Sequence, residues 1–424
     1  MTSGDYTWDG PLHYGLMGIK VEGPVSARPV ATHRVDSVDL LRGLVMVIMA
    51  LDHTREFVHS TAMVYRPEDL AHTTAAIFFS RWITHFCAPV FMFCAGLGAF
   101  FWLERRGSAP GARAALSRFL ITRGLWLIVL EFTLVRFSFF LNFDYSLVIL
   151  LVFWALGLSM IALAGLVHLP FKILAGTSAA IILVHNLADP ITAASFGSAS
   201  WLWNVLHQPG LVKTPGPMLI VAYPLVPWLA VMAGGFCFGR IYRVPAARRS
   251  RLLVRTGLAL TAGFIVLRLL NVYGDPSRWV SQASPLLTLL SFLNTTKYPP
   301  SLLFLLMTLG PAIALLGWLD DARPGERNPF LVFGRVPLFY FILHIAVIHA
   351  MTIAIGWLQY GTQSFLLLPP PTLGTSRDLF PPDYGWSLGV TWLVWIAVVV
   401  SLYPVCLWFS RLRARRRSWW LRYL

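Results

Sequence analysis

The chain has 424 residues, 57% of them hydrophobic and 12% charged, with a mean hydropathy of +0.65. A soluble domain carries roughly 25% charged residues, so this composition leaves too little polar surface for a water-soluble globule. The net charge of +15 would suit nucleic acid in a soluble protein; in a membrane protein it points to basic cytoplasmic loops.

Residues 1–35 are polar and carry Gly and Pro, without a basic segment leading into an apolar one. They read as a flexible cytoplasmic tail, and a cleaved signal peptide is not expected. A helix needs about 20 apolar residues to cross the hydrocarbon. Ten stretches qualify: 36–57, 76–103, 114–138, 145–167, 170–187, 217–241, 252–272, 298–318, 329–357 and 387–410. The fifth, PFKILAGTSAAIILVHNLAD, is short and follows the fourth after an HLP turn. Asp189–Pro217 and the Pro-rich Leu368–Gly385 are the longest connections, and Trp201 and Trp203 suit an interface. The small residues of GLGAF (Gly96–Phe100) and AGGFCFG (Ala233–Gly239) predict close helix packing. Residues 411–424 form a basic tail suited to anionic headgroups. The expected fold is therefore an all-α membrane protein, a bundle of about ten transmembrane helices over residues 36–410.

Placing the N-terminus inside puts 22 of the 34 Lys and Arg in inside segments and 5 in outside ones. This bias predicts that both termini are cytoplasmic and that the number of spans is even. Cys87, Cys94, Cys237 and Cys406 all fall in apolar runs and read as reduced packing residues. No Cys/His spacing suits a metal, and none is expected.

Charge inside the spans carries the functional signal. MALDHTREFVH (Met49–His59) puts Asp52, His53 and Arg55 near the outer end of the first span. Arg81 and His85 lie at similar depth in the second, Glu131 and Arg136 in the third, His185 and Asn186 in the fifth, Lys297 in the eighth and His349 in the ninth. Each intramembrane charge costs at least ~2.5 kcal/mol at the centre of a lone helix and less near the interface. Several at one level argue for a shared, water-accessible cavity. At about 100° per residue, Arg42 and His53 share a face, as do Arg81 and His85. Counted along a continuous ninth span, Arg335 and His349 do so too, whereas His344 points elsewhere. Asp39 and Arg42 are an i,i+3 pair. Asp52 and His53 diverge by about 100°, so Asp52 is expected to meet Arg55 or another helix. This layout suits a long anionic ligand, with arginines for its phosphates and a histidine for its reactive end.

Five segments bring a family to mind: RVDSVDLLRGLVMVIMALDHTR, RWITHFCAPVFMFCAG, YPLVPWLAVMAGGFCFGRIY, KYPPSLLFLLMTLGP and GRVPLFYFILHIAVIHA. Together the sequence resembles the heparan-alpha-glucosaminide N-acetyltransferase catalytic-domain family, in its bacterial branch. The resemblance implies a membrane-bound O- or N-acyltransferase with acetyl-CoA as co-substrate, no metal, and a sugar amine or hydroxyl acceptor across the membrane. It also implies a bacterial inner-membrane location and a catalytic histidine after the first span, outside the cytoplasm. His53, His59 and His72 are the candidates there. His53 is preferred because it shares the Arg42 face and lies close to the bilayer; His85 comes next. The expected catalytic set is His53, Asp52 and His85. Arg55, Arg81, Lys297 and His349 would bind the acceptor, and Arg42, Arg123 and Arg335 the donor phosphates. The expected partners are the bilayer and a glycan or other extracytoplasmic acceptor, not nucleic acid; a homo-oligomer is left open.

Two other readings stand beside this one. A proton-coupled transporter would also use intramembrane His and Asp, but the sequence has no internal repeat and its charges are off-centre. A structural subunit of an envelope complex would tolerate changes at His53, Arg81 and His85.

Overall fold

A computed structural model describes residues 35–416 together with Ser418 and Leu421. The N-terminal tail expected over 1–35 lies, except for Val35, outside the described residues, as does part of the basic tail, including Arg417 and Arg422.

The first helix, α1 (Asp36–Val58), runs unbroken from an acidic first turn to Arg55 in its last turn. Both charges suit the helix dipole. Thr74 then caps α2 (Ala75–Trp82), accepting from the Ile77 N–H, and a tight 3-10 turn leads into α3 (Cys87–Glu104). The third span is α4 (Ala112–Leu130), a π turn over Glu131–Val135, and α5 (Arg136–Phe140). Next come β1 (Leu147–Leu150), α6 (Val152–Leu166), α7 (Phe171–Val184), α8 (Ser200–Leu206), β2 (Gly210–Val212) and β3 (Met218–Val221). The second half holds α9 (Leu225–Phe238), α10 (Ala246–Leu270), α11 (Pro285–Leu293), α12 (Leu302–Trp318), α13 (Pro329–Arg335), α14 (Pro337–Tyr360) and α15 (Leu388–Arg415).

Every one of the ten predicted stretches contains helix. Among the described residues, seven helical segments are long and apolar enough to cross a membrane. The remaining stretches correspond to α1 and α4, which carry several charged residues, and to α6, which has 15 residues. The protein is an all-α membrane protein in its spanning part, with two departures from expectation. First, the predicted stretches 145–167 and 217–241 begin as strands: β1 pairs in parallel with β3, and β3 antiparallel with β2. Second, 329–357 is two helices. Pro337 disfavours helical backbone at the residue before it, and Val336 sits at φ −130°, ψ 49°. The phase relation between Arg335 and His349, which assumed one continuous helix, therefore does not hold.

Helix α1 is the centre of the bundle. Most of its residues are buried, and it packs on α3, α12, α13, α14 and α15. Its seam with α13 is backbone on backbone: a Cβ on Gly43 would lie 1.7 Å from the Phe330 carbonyl oxygen, and one on Gly334 1.7 Å from that of Asp39. The two small-residue motifs meet each other in the same way, since a Cβ on Gly96 would strike the Met232 carbonyl and one on Gly235 that of Phe93. Such contacts let helices associate where lipid offers no hydrophobic gain. All four cysteines are free and buried. At the far end of α1, Trp386 donates to the Val58 carbonyl and accepts from the Ser60 N–H. Beside it, the Pro-rich connection folds into an aromatic cluster of Phe380 and Tyr384 with Met63 and Leu366.

Candidate active site

Two polar groups diverge from the His53 end of α1. The first is an acid–base network. Asp52 accepts from the Arg55 guanidinium at 2.9 Å, one turn on, and from Arg81 of α2 through its other oxygen. Arg81 also donates from Nε to Glu68 at 2.9 Å. Glu68 stands in the connection between α1 and α2, with Nε2 of His85 at 3.6 Å. The His85 ring is buried and neither nitrogen makes a hydrogen bond. Lys297 is buried nearby, with its ammonium 5.2 Å from the Tyr298 ring, and the Tyr298 hydroxyl lies 3.2 Å from that of Tyr223.

Burial favours the neutral acid at Glu68. The Arg81 guanidinium outweighs it, with help from His85, and holds this loop carboxyl well below the usual carboxylate range. The network is thus an alternating chain of anions and cations, each partly matched, which is what allows charge to persist beside lipid.

The second group surrounds His53. Its Nδ1 lies 3.2 Å from Oε2 of Glu56, three residues on along the helix. Its ring meets Phe139 edge-on at 5.5 Å and lies 5.2 Å from the His344 ring. His344 donates from Nδ1 to the Phe341 carbonyl at 2.5 Å, which leaves Nε2 without a hydrogen on it; that buried nitrogen has no hydrogen-bond partner. His349, five residues further along α14, donates from Nδ1 to the Ser138 carbonyl at 3.1 Å and packs on Phe57. The His53 side chain keeps 19% of its surface exposed, whereas His85, His344 and His349 are closed off. His53 is therefore the imidazole in this layer that combines an orienting carboxylate with access.

The other sequence candidates fall as follows. His59 takes up Nδ1 on the Thr61 N–H and hydroxyl, and His72 is exposed against Asp69. Asp52 does meet Arg55 and a second helix, as its phase required. Arg42 pairs with Asp39. Arg335 lies against Glu326 and, at 3.5 Å, Asp36. Arg123 is half-buried on α4. Arg136 binds the Asn142 carbonyl at 2.9 Å, and His185 the Pro300 carbonyl at 2.9 Å; both serve as structural staples. Glu131 accepts from the Phe153 and Trp154 N–H groups at the start of α6.

Sequence reasoning passed over Glu56, Glu68 and Tyr223, and set His344 aside. Glu56 was detectable, since i,i+3 residues on a helix are neighbours. Glu68 was not, because no periodicity places a loop residue.

The family model described as heparan-alpha-glucosaminide N-acetyltransferase, catalytic, matches residues 34–273. A search of the curated proteins found no match. The matched stretch contains His53, Glu56, Glu68, Arg81, His85 and Tyr223, while Lys297, Tyr298, His344 and His349 lie beyond it.

Proposed function

The chain belongs to the heparan-alpha-glucosaminide N-acetyltransferase catalytic family, which makes it a membrane acyltransferase, and on that premise we propose that it moves an acetyl group from acetyl-CoA to an amine or hydroxyl of an extracytoplasmic glycan, with His53 as general base. The observation that carries the assignment of His53 is the Nδ1–Glu56 contact of 3.2 Å in a partly exposed imidazole. A carboxylate on Nδ1 fixes the tautomer that leaves Nε2 to accept a proton.

In this reading the acceptor N–H or O–H gives its proton to Nε2 of His53 as the acceptor atom attacks the thioester carbonyl. The C–S bond breaks, and the imidazolium returns the proton to the departing thiolate. Glu56 stabilises the imidazolium while it exists. His85, Asp52, Arg55 and Arg81 with Lys297 and His349 form the polar wall against which the acceptor is oriented. Arg42, Arg123 and Arg335 attract the donor phosphates at the cytoplasmic end. Arg42 and Arg335 are held by carboxylates, so a phosphate taken there displaces an anion. The charge bias between connections supports cytoplasmic termini, and the bacterial inner membrane is the proposed location.

The test is release of CoA thiol by purified protein given acetyl-CoA and an amino-sugar acceptor. His53→Ala is expected to lower kcat by roughly 10²–10⁴-fold, the usual share of acid–base catalysis. Glu56→Gln should lower kcat less, with little change in KM for acetyl-CoA. Full activity in His53→Ala would refute the assignment.

A further inference from the structure

Away from these residues, a second concave site opens among the ends of α3, α4, α6, α7 and α9. It is a cleft of about 490 Å³ including its open mouth, and its charged lining is Arg113, Arg240, Arg243 and Glu104. We propose that it binds the phosphate headgroup of an anionic phospholipid.

The arginines are arranged for an anion. Residues 239–243 form a 3-10 turn after α9, in which side chains three apart eclipse one another. Arg240 and Arg243 therefore project to the same side. Arg243 is held by Glu104, with contacts of 3.1 and 2.5 Å. Arg240 has no such carboxylate. Its guanidinium carbon lies over the Phe171 ring, 3.4 Å from the centroid, and the group makes no hydrogen bond or ion pair with a described residue. The cation–π contact holds the guanidinium in place and leaves its N–H groups for a ligand. Arg113, from the first turn of α4, reaches only the His168 carbonyl, at 3.4 Å. One carboxylate against three guanidiniums leaves the cleft a net charge of +2.

The floor indicates what carries the phosphate. It is apolar, with Phe100, Leu103, Val167, Leu174 and Phe236 beneath the arginine rim. Leu169, also in the lining, is 37% exposed. A free phosphate gains nothing from such a floor, whereas the first methylenes of an acyl chain do. Basic pockets between membrane helices on the cytoplasmic side take anionic headgroups on the same physical grounds, and the charge bias puts this end of the bundle there.

The experiment uses full-length protein in neutral detergent, with lipid retention followed by native mass spectrometry and thermal unfolding. Phosphatidylglycerol should be retained and raise the midpoint, while phosphatidylcholine should do neither. Arg113→Gln with Arg240→Gln, both exposed and hence tolerated, should cut phosphatidylglycerol retention roughly tenfold or more, the loss of at least one charge-assisted contact. Phe171→Leu, which keeps the charges and removes the platform, should weaken it too. Arg323→Gln, an exposed arginine elsewhere, should not. Equal retention of the two lipids, or unchanged phosphatidylglycerol retention in the double variant, would overturn the proposal. So would an equal shift from inorganic phosphate or adenosine 3′,5′-bisphosphate alone, which would mark a site for a soluble anion.

Discussion

Asp52 and His53 are adjacent in sequence and belong to different chemistry. One helical step of about 100° sends Asp52 toward Arg81 and Glu68, and His53 toward Glu56 and His344. The Glu68 end of the network gives a test that does not depend on turnover. Its carboxyl is depressed in the fold. Such a group contributes stability that is fully present above its unfolded value, about 4.3, and is lost as pH falls through the native value. The unfolding midpoint should therefore hold level above about pH 5 and drop as pH falls below about 4.3, and Glu68→Gln should drop less over that acid range while starting lower. Equal slopes for the two proteins would mean that the Arg81 and His85 contacts carry no net weight. At this scale the sequence was legible wherever both members of a contact lie on one helix, as with Asp39–Arg42 and Asp52–Arg55. It was silent on Glu68, Tyr223 and the approach of His344, because these depend on which helices become neighbours.

Among the elements, the seam between α1 and α13 sets the tightest tolerance. Gly43 and Gly334 each face a carbonyl at a distance that no Cβ can occupy. Gly334→Ala must push the helices apart, at a cost of about 1–3 kcal/mol or more. It should lower the unfolding midpoint in detergent by several degrees, whereas Gly98→Ala, where the added Cβ meets nothing within 4 Å, should leave it unchanged. A neutral Gly334→Ala would show that the seam is loose. Helix positions were readable because hydropathy and length report burial in lipid directly. The small sheet and the break at Val336 were harder. Short apolar strands such as Leu147–Leu150 look like the start of a span when they run straight into one. Pro337 does signal a boundary, but within a long apolar run its effect was outweighed by hydropathy.

For the molecule as a whole, the partners of α1 are far away along the chain. Arg335 reaches Asp36 across 299 positions, and Trp395 donates to the Val47 carbonyl across 348. At about 5–20 residues per second of synthesis, α1 must wait in the bilayer for roughly 15 to 60 s before α13 exists. For the first seconds of that interval, before α2 is made, its charges have no other helix to meet. The i,i+3 pairs Asp39–Arg42 and Asp52–Arg55 need none, since each closes within a single turn. In a nascent chain stopped before α2, Asp52→Asn should therefore lower the inserted fraction, and Asp52→Asn together with Arg55→Gln should restore it. The same carboxylate that later receives Arg81 would first serve as a temporary counter-ion, keeping the oldest helix of the protein in the membrane until its last neighbours are made.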